Sequence, residues 1–171
     1  MQYISHYPSP LGPILLAADE IGLTGLWLEG QKYYARQLEL PQKECEEGES
    51  PVLDMAKVWL DDYFAGREPE IEIPLHLSGT EFQQEVWQIL QQIPYGQTVT
   101  YGQIAKQIAC RRGQKSMSAQ AVGGAVGRNP VSLIVPCHRV VGSDGSLTGY
   151  AGGVDKKIAL LQLERKQKDF A

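Results

Sequence analysis

A cysteine, a histidine and an arginine follow one another at Cys137, His138 and Arg139, directly after an apolar run at 133–136. A thiolate is the nucleophilic form of cysteine, and neighbouring cations favour it, so this tripeptide could carry out a cysteine-based transfer reaction. A buried structural cysteine and a chance Cys–His pair are the alternatives for an isolated dipeptide. We predict that an apolar strand ends at Cys137. Because adjacent strand residues point to opposite faces, a Cys137–His138 hydrogen bond then requires a turn or a bridging water.

With Cys45 and Cys110, the chain has three cysteines, an odd number that cannot all pair in disulfides. None of them has the Cys-x-x-Cys spacing of metal and redox sites. Free thiols of this kind indicate a reducing compartment. The N-terminal half adds only His6 and His76 to Cys45, which is too few ligands for a four-coordinate zinc site, so we predict no metal. The N-terminus lacks the basic start and apolar core of a signal peptide, which favours the cytoplasm.

Charge is distributed unevenly along the 171 residues. The net charge of −4 argues against a nucleic-acid partner, but it is an average. Residues 1–85 hold sixteen acidic and five basic side chains, whereas residues 86–143 hold six basic side chains and no acidic one. Chance clustering is the alternative to a surface that faces a polyanion. The longest uncharged stretch, 86–105, contains five Gln and Pro94, and therefore does not predict a membrane span.

The first half of the chain has the apolar pattern of a sheet followed by a helix. Residues 3–7, 13–18 and 23–28 read as strands of a small antiparallel sheet, and residues 52–64 as an amphipathic helix. The polar, Glu-rich residues 29–50 are predicted to be a poorly ordered connection between them.

The second half reads as mainly helical. A helix is predicted over 82–93, and two short helices at 101–109 and 118–126, joined by a basic turn, form a helix-turn-helix pattern. The last of these contains almost no bulky side chain, and each of its central glycines costs about 1 kcal/mol in helix propensity. Something must therefore approach its backbone closely. Tight packing against another helix and entry into a DNA groove both explain this composition.

An ordered set of short motifs around Cys137 resembles the O6-alkylguanine-DNA alkyltransferases, also called methylated-DNA–protein-cysteine methyltransferases. The run at 136–140 is similar to the active-site signature of that family. The further motifs that resemble the family lie at 82–87, 93–96, 121–125, 129–130, 148–153 and 156–164, with looser ones at 9–13 and 63–66. The resemblance is dense over about residues 80–165 and loose before them.

This resemblance implies direct repair of O6-alkylguanine, and of O4-alkylthymine, in double-stranded DNA. Cys137 would take the alkyl group irreversibly, without a cofactor and once per protein molecule. His138 would act through a water as its base, Glu164 would orient that imidazole, and Asn129 would brace the turn around the nucleophile. Tyr101 would crowd the 3′ phosphate and protonate the leaving guanine at N3.

A base inside a duplex cannot reach a buried thiol, so the damaged nucleotide must be flipped out. The resemblance implies that Ala121 and Gly124 let their helix enter the minor groove. The backbone carbonyl of Val140, together with that of the nucleophile, would read the guanine amino group. Tyr150 and Ala151 would close over the base.

Two features depart from the family pattern. Gln120 stands where many relatives carry an arginine that fills the gap left by the flipped base. The turn between the two short helices is longer than in most relatives and carries Arg111, Arg112 and Lys115. We predict that these cations, together with Arg128, contact DNA and offset the missing charge.

The expected fold class is α/β, of the α+β type. Residues 1–75 should form a small ribonuclease H-like domain of sheet and helix, and residues 80–171 a mainly helical domain with the helix-turn-helix. A monomer is expected, because a protein that reacts once on duplex DNA needs no second copy. The alternatives are a non-catalytic alkylated-DNA-binding module, a helix-turn-helix regulator and a cysteine hydrolase. The pairing of Cys137 with His138 disfavours the first two, and no oxyanion site supports the third.

Overall fold

The computed structural model describes residues 1–35, 38, 42–147, 150 and 153–170, except for the side chains of residues 166–170. Its first half is built on a four-stranded sheet with the strand order β3-β2-β1-β4. The strands are β1 (Gln2–Ser9), β2 (Gly12–Ala18), β3 (Leu23–Leu28) and β4 (Gln42–Glu44).

A tight hairpin joins β1 to β2, and Gly12 at its turn has a φ of 104°, a conformation that favours glycine. Strand β2 lies between β1 and β3 and is antiparallel to both, which confirms the three strands predicted from the apolar pattern. Strand β4 pairs with β1 in parallel. The prediction of a poorly ordered connection is therefore wrong for Gln42–Glu44, because backbone hydrogen bonds to the free edge of β1 order these polar residues.

Helix α1 (Pro51–Phe64) packs on one face of this sheet. The Ser50 side chain accepts a hydrogen bond from the Leu53 amide at 3.3 Å and so caps the first turn, where proline is well tolerated. Ala56 and Leu60 are fully buried against the strands. The helix predicted over 52–64 is confirmed.

The second half consists mainly of helices. They are α2 (Glu81–Leu90), α3 (Tyr101–Arg111), α4 (Ala119–Gly127) and α5 (Val154–Phe170), with a short parallel pair of strands, β5 (Val99–Thr100) and β6 (Val140–Val141). Helix α2 ends three residues before the predicted boundary at 93, because the Gln92 and Ile93 amides donate to carbonyls only three residues back, those of Ile89 and Leu90. Within the described residues, no helix combines the length and apolar character that crossing a bilayer requires.

Helices α3 and α4 form the predicted helix-turn-helix. Capping boxes at Thr80 and Thr100 start α2 and α3, and the Ser118 side chain caps α4. The indole N–H of Trp87 donates to the Ala125 carbonyl at 2.9 Å and ties α2 to α4. Trp87 belongs to one hydrophobic cluster that includes Leu16 of the sheet, so a continuous core joins the two halves of the chain.

The segment before Cys137 is a turn and not the strand that its apolar run predicts. Leu133 has a φ of 71°, and local turn hydrogen bonds link Val131, Ser132 and Val135. Strand pairing is limited to a single bridge between Val131 and Leu26, because the turn hydrogen bonds satisfy the backbone groups that follow. A single 3₁₀ turn, Cys137–Arg139, follows and leads into β6. The strand prediction is therefore wrong.

The outer edge of β3 holds this turn segment in place. The Leu26 amide donates to the Pro130 carbonyl at 2.9 Å, and the Ser132 amide donates to the Leu26 carbonyl at 3.1 Å. The Ser132 hydroxyl also lies 3.4 Å from Gln31 Oε1. The first half of the chain thereby positions the backbone that carries Cys137.

Candidate active site

Cys137 begins the 3₁₀ turn and is 4% exposed. The Asn129 amide braces the preceding loop, since its Nδ2 donates to the Val135 carbonyl at 2.8 Å and its Oδ1 accepts from the Val131 amide at 3.0 Å. Asn129 is itself buried, and so its hydrogen bonds are not exposed to competition from water. These bonds tie the loop residues Val131 and Val135 to one side chain, in the segment two to eight residues before Cys137.

His138 and Glu164 form a fully buried pair. His138 Nε2 lies 2.5 Å from Glu164 Oε2, whereas His138 Nδ1 has no hydrogen-bond partner within the described part of the chain. Burial alone would raise the pKa of Glu164, but hydrogen bonds and charges from His138 and Arg139 lower that pKa to about 2. Because Glu164 is a carboxylate, it must accept the hydrogen bond. The proton of the neutral imidazole therefore sits on Nε2, and Nδ1 is the free base.

Four donors surround the Glu164 carboxylate. Oε1 accepts from Arg139 Nε at 2.8 Å and from the Gly96 amide at 3.1 Å, while Oε2 accepts from His138 and from the Tyr63 hydroxyl at 2.6 Å. Arg139 is buried and also donates to the Ile93 carbonyl. Such saturation is what allows a charged carboxylate to be stable without water.

Burial shifts both the Cys137 thiol and the His138 imidazole towards their neutral forms. Burial raises the pKa of Cys137, and a hydrogen bond from Asn129 and the charge of Lys157 offset this only in part. Burial likewise lowers the pKa of His138 against the opposing pull of Glu164. The expectation that adjacent cations favour a thiolate is wrong, because the Arg139 guanidinium turns towards Glu164 and Ile93. The proton must leave sulphur during the reaction.

The 3₁₀ turn at Cys137–Arg139 buries the side chains of both Cys137 and His138. In a strand, these adjacent side chains would point to opposite faces. Among the hydrogen bonds of the described residues, none joins Cys137 Sγ to the His138 ring. A bridging water or a small movement is therefore required to carry the proton from Cys137 to His138.

Lys157 is a buried cation beside Cys137 that motif comparison did not assign to the site. Its Nζ donates to the Val140 carbonyl at 2.5 Å and lies 5.9 Å from the centre of the Tyr101 ring. Burial lowers the pKa of Lys157, and the nearby Cys137 thiol acts in the opposite direction. The spacing in the sequence could have indicated this position, because Lys157 and Glu164 are seven residues apart and so lie on the same face of a helix.

Two tyrosines lie near the thiol. Tyr101 opens α3 and is half buried, and burial raises its pKa. Tyr150 is buried, and its hydroxyl has no hydrogen-bond partner among the described residues. An unpaired buried hydroxyl is costly and suits a group that binds a ligand. Ala151, which was expected beside Tyr150, lies outside the described residues.

The glycines of α4 are not needed for packing inside the protein. A methyl group added at Gly124 or Gly127 would meet nothing within 4 Å, and one at Gly123 would make ordinary contact with the Tyr101 ring at 3.8 Å. Tight helix packing therefore does not explain the missing bulk. Gln120 and Ala121 are exposed on the same helix. A cavity of about 710 Å³ next to this face is lined by Tyr101, Gly102, Ala119, Gln120, Gly123, Gly124 and Ser143.

The four cations predicted to contact DNA differ in their surroundings. Arg111 and Lys115 are exposed, and neither belongs to an ion pair of the described residues. Arg112 instead donates from Nη2 and Nε to the same oxygen, Glu85 Oε2, at 2.6 and 3.2 Å, and lies over the Phe82 ring. Arg128 is exposed and lies 4.7 Å from the centre of the Tyr33 ring.

No group of three or more His, Cys, Asp or Glu side chains is arranged to hold a metal ion in the part of the chain that the structure describes. The three cysteines are free thiols, of which Cys110 is exposed and Cys45 and Cys137 are buried.

Two family profiles cover almost the whole chain. One, described as "6-O-methylguanine DNA methyltransferase, ribonuclease-like domain", matches residues 2–77. The other, "6-O-methylguanine DNA methyltransferase, DNA binding domain", matches residues 81–166. The expected fold class is confirmed, with a ribonuclease-like sheet unit followed by a helical unit.

Relatives and solved structures agree with these profiles. A methylated-DNA–protein-cysteine methyltransferase of Methanosarcina acetivorans is 45% identical over 95% of this chain and 97% of its own. One of Mycobacterium leprae is 46% identical over 93% and 90%. The crystal structure of Mycobacterium tuberculosis OGT in complex with DNA matches with a TM-score of 0.84 and 41% identity, covering 96% of this chain and 94% of that one. The chain belongs to the 6-O-methylguanine DNA methyltransferase family.

Proposed function

We propose that Cys137 accepts the alkyl group of O6-alkylguanine, and of O4-alkylthymine, in double-stranded DNA. The observation that carries this proposal is a buried thiol one residue before an imidazole whose Nδ1 is free and whose Nε2 is held by Glu164. The names of the relatives, methylated-DNA–protein-cysteine methyltransferases, support the same reaction. The product is a thioether, so each protein molecule reacts once.

The residues account for every bond and proton. Cys137 Sγ forms the S–C bond while the O6–C bond breaks and its electron pair passes to guanine. The thiol proton leaves through a water to His138 Nδ1, and Glu164 stabilises the imidazolium across Nε2. Tyr101 gives a proton to guanine N3 and regains one from solvent. His138 then releases its proton to solvent, so that the net result moves one proton from the Cys137 thiol to guanine, and no cofactor is required.

The exposed, glycine-rich face of α4 is suited to the minor groove. Ala121 and Gly124 present no side chain that would prevent close approach to a DNA backbone. Gln120 on this face fills the space of the extruded nucleotide. Base flipping is needed because the thiol is buried.

The flipped guanine would meet two polar groups of the protein that can still form a hydrogen bond. The Tyr150 hydroxyl has no partner in the described residues. The Val140 carbonyl accepts one hydrogen bond, from Lys157, and keeps a second lone pair for the guanine amino group. Ala151 would close over the base with Tyr150, as the family resemblance implies.

We place the protein in the cytoplasm, since a reactive free thiol must stay reduced until it is used. We expect a monomer, because a protein that reacts once on duplex DNA needs no second copy. The division into domains 1–75 and 80–171 also stays a prediction. The continuous hydrophobic core means that the two units are expected to unfold together.

Mass spectrometry of the protein after reaction with DNA tests this function. Incubation with a duplex that contains O6-methylguanine should raise the protein mass by one methylene unit, and peptide mapping should locate the change at Cys137. An unmodified duplex is the control. If folded protein binds the damaged duplex and acquires no adduct, the non-catalytic DNA-binding alternative replaces this proposal.

Salt dependence tests the phosphate contacts of the turn between α3 and α4. Arg111→Ala should reduce the slope of log affinity against log salt by about 1, because one phosphate contact is lost. Arg112→Ala is the matched control. Because its guanidinium is paired with Glu85, we do not keep Arg112 among the phosphate contacts, and its slope should change little. Measurement of duplex affinity from about 50 to 200 mM salt resolves such differences. An unchanged slope for Arg111→Ala contradicts the contact.

A further inference from the structure

Tyr63 brings the first half of the chain into the proton-transfer site. It lies on α1 and is fully buried. Its hydroxyl donates to Glu164 Oε2 at 2.6 Å, and the same oxygen accepts from His138 Nε2 at 2.5 Å. The Tyr63 oxygen is also only 3.4 Å from Nε2. The hydroxyl therefore lies against both members of the His138–Glu164 pair.

Aromatic contacts fix where this hydroxyl points. The Tyr63 ring stacks on Trp59 with 5.1 Å between ring centres and 9° between planes. Phe64 meets it edge-on at 5.4 Å and Tyr95 at 6.3 Å. Such packing leaves the ring no alternative rotamer of similar energy. The hydrogen bond to Glu164 is thus preorganised before any substrate binds.

We propose that Tyr63 is a positioning residue for alkyl transfer, which holds the Glu164 carboxylate so that His138 presents Nδ1 to the thiol. This inference rests on the proposed function of Cys137. Without the hydroxyl, Oε2 keeps a single donor, His138, while Oε1 keeps Arg139 and Gly96, so the position of Oε2 is held less firmly. The imidazole ring would then lose its fixed direction towards the thiol.

The hydroxyl also sets how strongly Glu164 attracts the imidazolium. Five other charged or titratable groups face the His138–Glu164 pair. They are Arg139 on the 3₁₀ turn, Lys157 on α5, Tyr95 after α2, the Cys137 thiol itself and Tyr150. These remain unchanged when only the Tyr63 oxygen is removed. A carboxylate oxygen with one donor fewer carries more negative charge, which stabilises the imidazolium and raises the pKa of His138.

Tyr63→Phe tests the inference, with Tyr95→Phe as its matched control. Tyr95 is a half-buried neighbour in the same cluster, and its hydroxyl has no hydrogen-bond partner among the described residues. The single-turnover alkyl-transfer rate of Tyr63→Phe should fall about tenfold at neutral pH, as expected for loss of a hydrogen bond to a charged group. The acid limb of its pH–rate profile should move to higher pH. Tyr95→Phe should retain both the rate and the profile of the original protein.

A second measurement separates this inference from the proposed function. The ¹⁵N chemical shifts of the His138 ring report its tautomer and pKa without any alkyl transfer, and only three histidines need assignment. Tyr63→Phe should raise the His138 pKa. Equal rate losses in both variants with an unchanged His138 titration would reduce Tyr63 to a packing residue and overturn the inference. Failure of the original protein to modify Cys137 would instead overturn the proposed function.

Discussion

Cys137→Ser should take up no alkyl group from DNA that contains O6-methylguanine. The serine hydroxyl loses its proton far less readily than a thiol, and the His138 base beside it is weakened by burial. We expect the rate of alkyl transfer to fall by at least about 10⁴-fold, the scale seen when a nucleophile is removed. Duplex affinity should be retained, because serine differs from cysteine by one buried atom.

The other two cysteines provide the controls for this variant. Cys110→Ser changes an exposed thiol on α3, and Cys45→Ser a buried one near β4. Both should be alkylated at Cys137 at the rate of the original protein. Intact-mass measurement over a time course distinguishes the three variants. Adduct formation on Cys137→Ser would place the acceptor elsewhere and contradict the assignment.

Glu164→Gln should lose both stability and activity. The amide keeps the shape of the side chain but not its charge, and leaves the buried guanidinium of Arg139 without a counter-ion. Breaking a buried ion pair from one side costs about 3–5 kcal/mol in the free energy of unfolding. The His138 imidazolium also loses its stabilising charge, so the alkyl-transfer rate should fall by about 10²-fold or more.

The pH dependence of stability checks the origin of this loss. The folded pKa of Glu164 is about 2, below its ordinary value of 4.5. Its contribution is therefore fully present above pH 4.5 and disappears as the pH falls towards 2. The difference in unfolding free energy between the original protein and Glu164→Gln should narrow over the same range.

Glu85→Gln is the matched control for Glu164→Gln. Glu85 pairs with Arg112 on the partly exposed side of α2, where solvent screens the charges. Its loss should cost at most about 1 kcal/mol. Urea unfolding of both variants at pH 7 gives the comparison. Similar losses for the two would show that the Glu164 network does not carry the stability assigned to it.

Local patterns in the sequence were sufficient for most of the secondary structure. Strands β1 to β3 follow from apolar residues between turn residues, and helix α1 follows from the amphipathic pattern at 52–64. These patterns depend on residues within a few positions of one another, and so they can be recognised without knowledge of the fold. The motif around Cys137 and the family resemblance pointed to the candidate nucleophile in the same way.

Local patterns failed where distant segments decide the structure. The apolar run before Cys137 has the composition of a strand, but the Asn129 side chain and the edge of β3 supply hydrogen bonds that turn it into a loop. The polar residues of β4 become a strand because β1 offers a free edge. A pairing partner far along the chain outweighed local preference in both cases.

The sequence by itself indicated the candidate nucleophile, the family and most of the helices and strands. Only the tertiary structure shows how the site shifts its titrating groups, because burial raises the pKa of Cys137 and lowers that of His138 against the charges beside them. The fold also brings in two residues that no motif assigned to the site, Tyr63 from the first half of the chain and Lys157 from the second. Tyr63 contacts Glu164, and Lys157 contacts the Val140 carbonyl. Desolvation and long-range contact are properties of the packed core, and they have no signature in neighbouring residues.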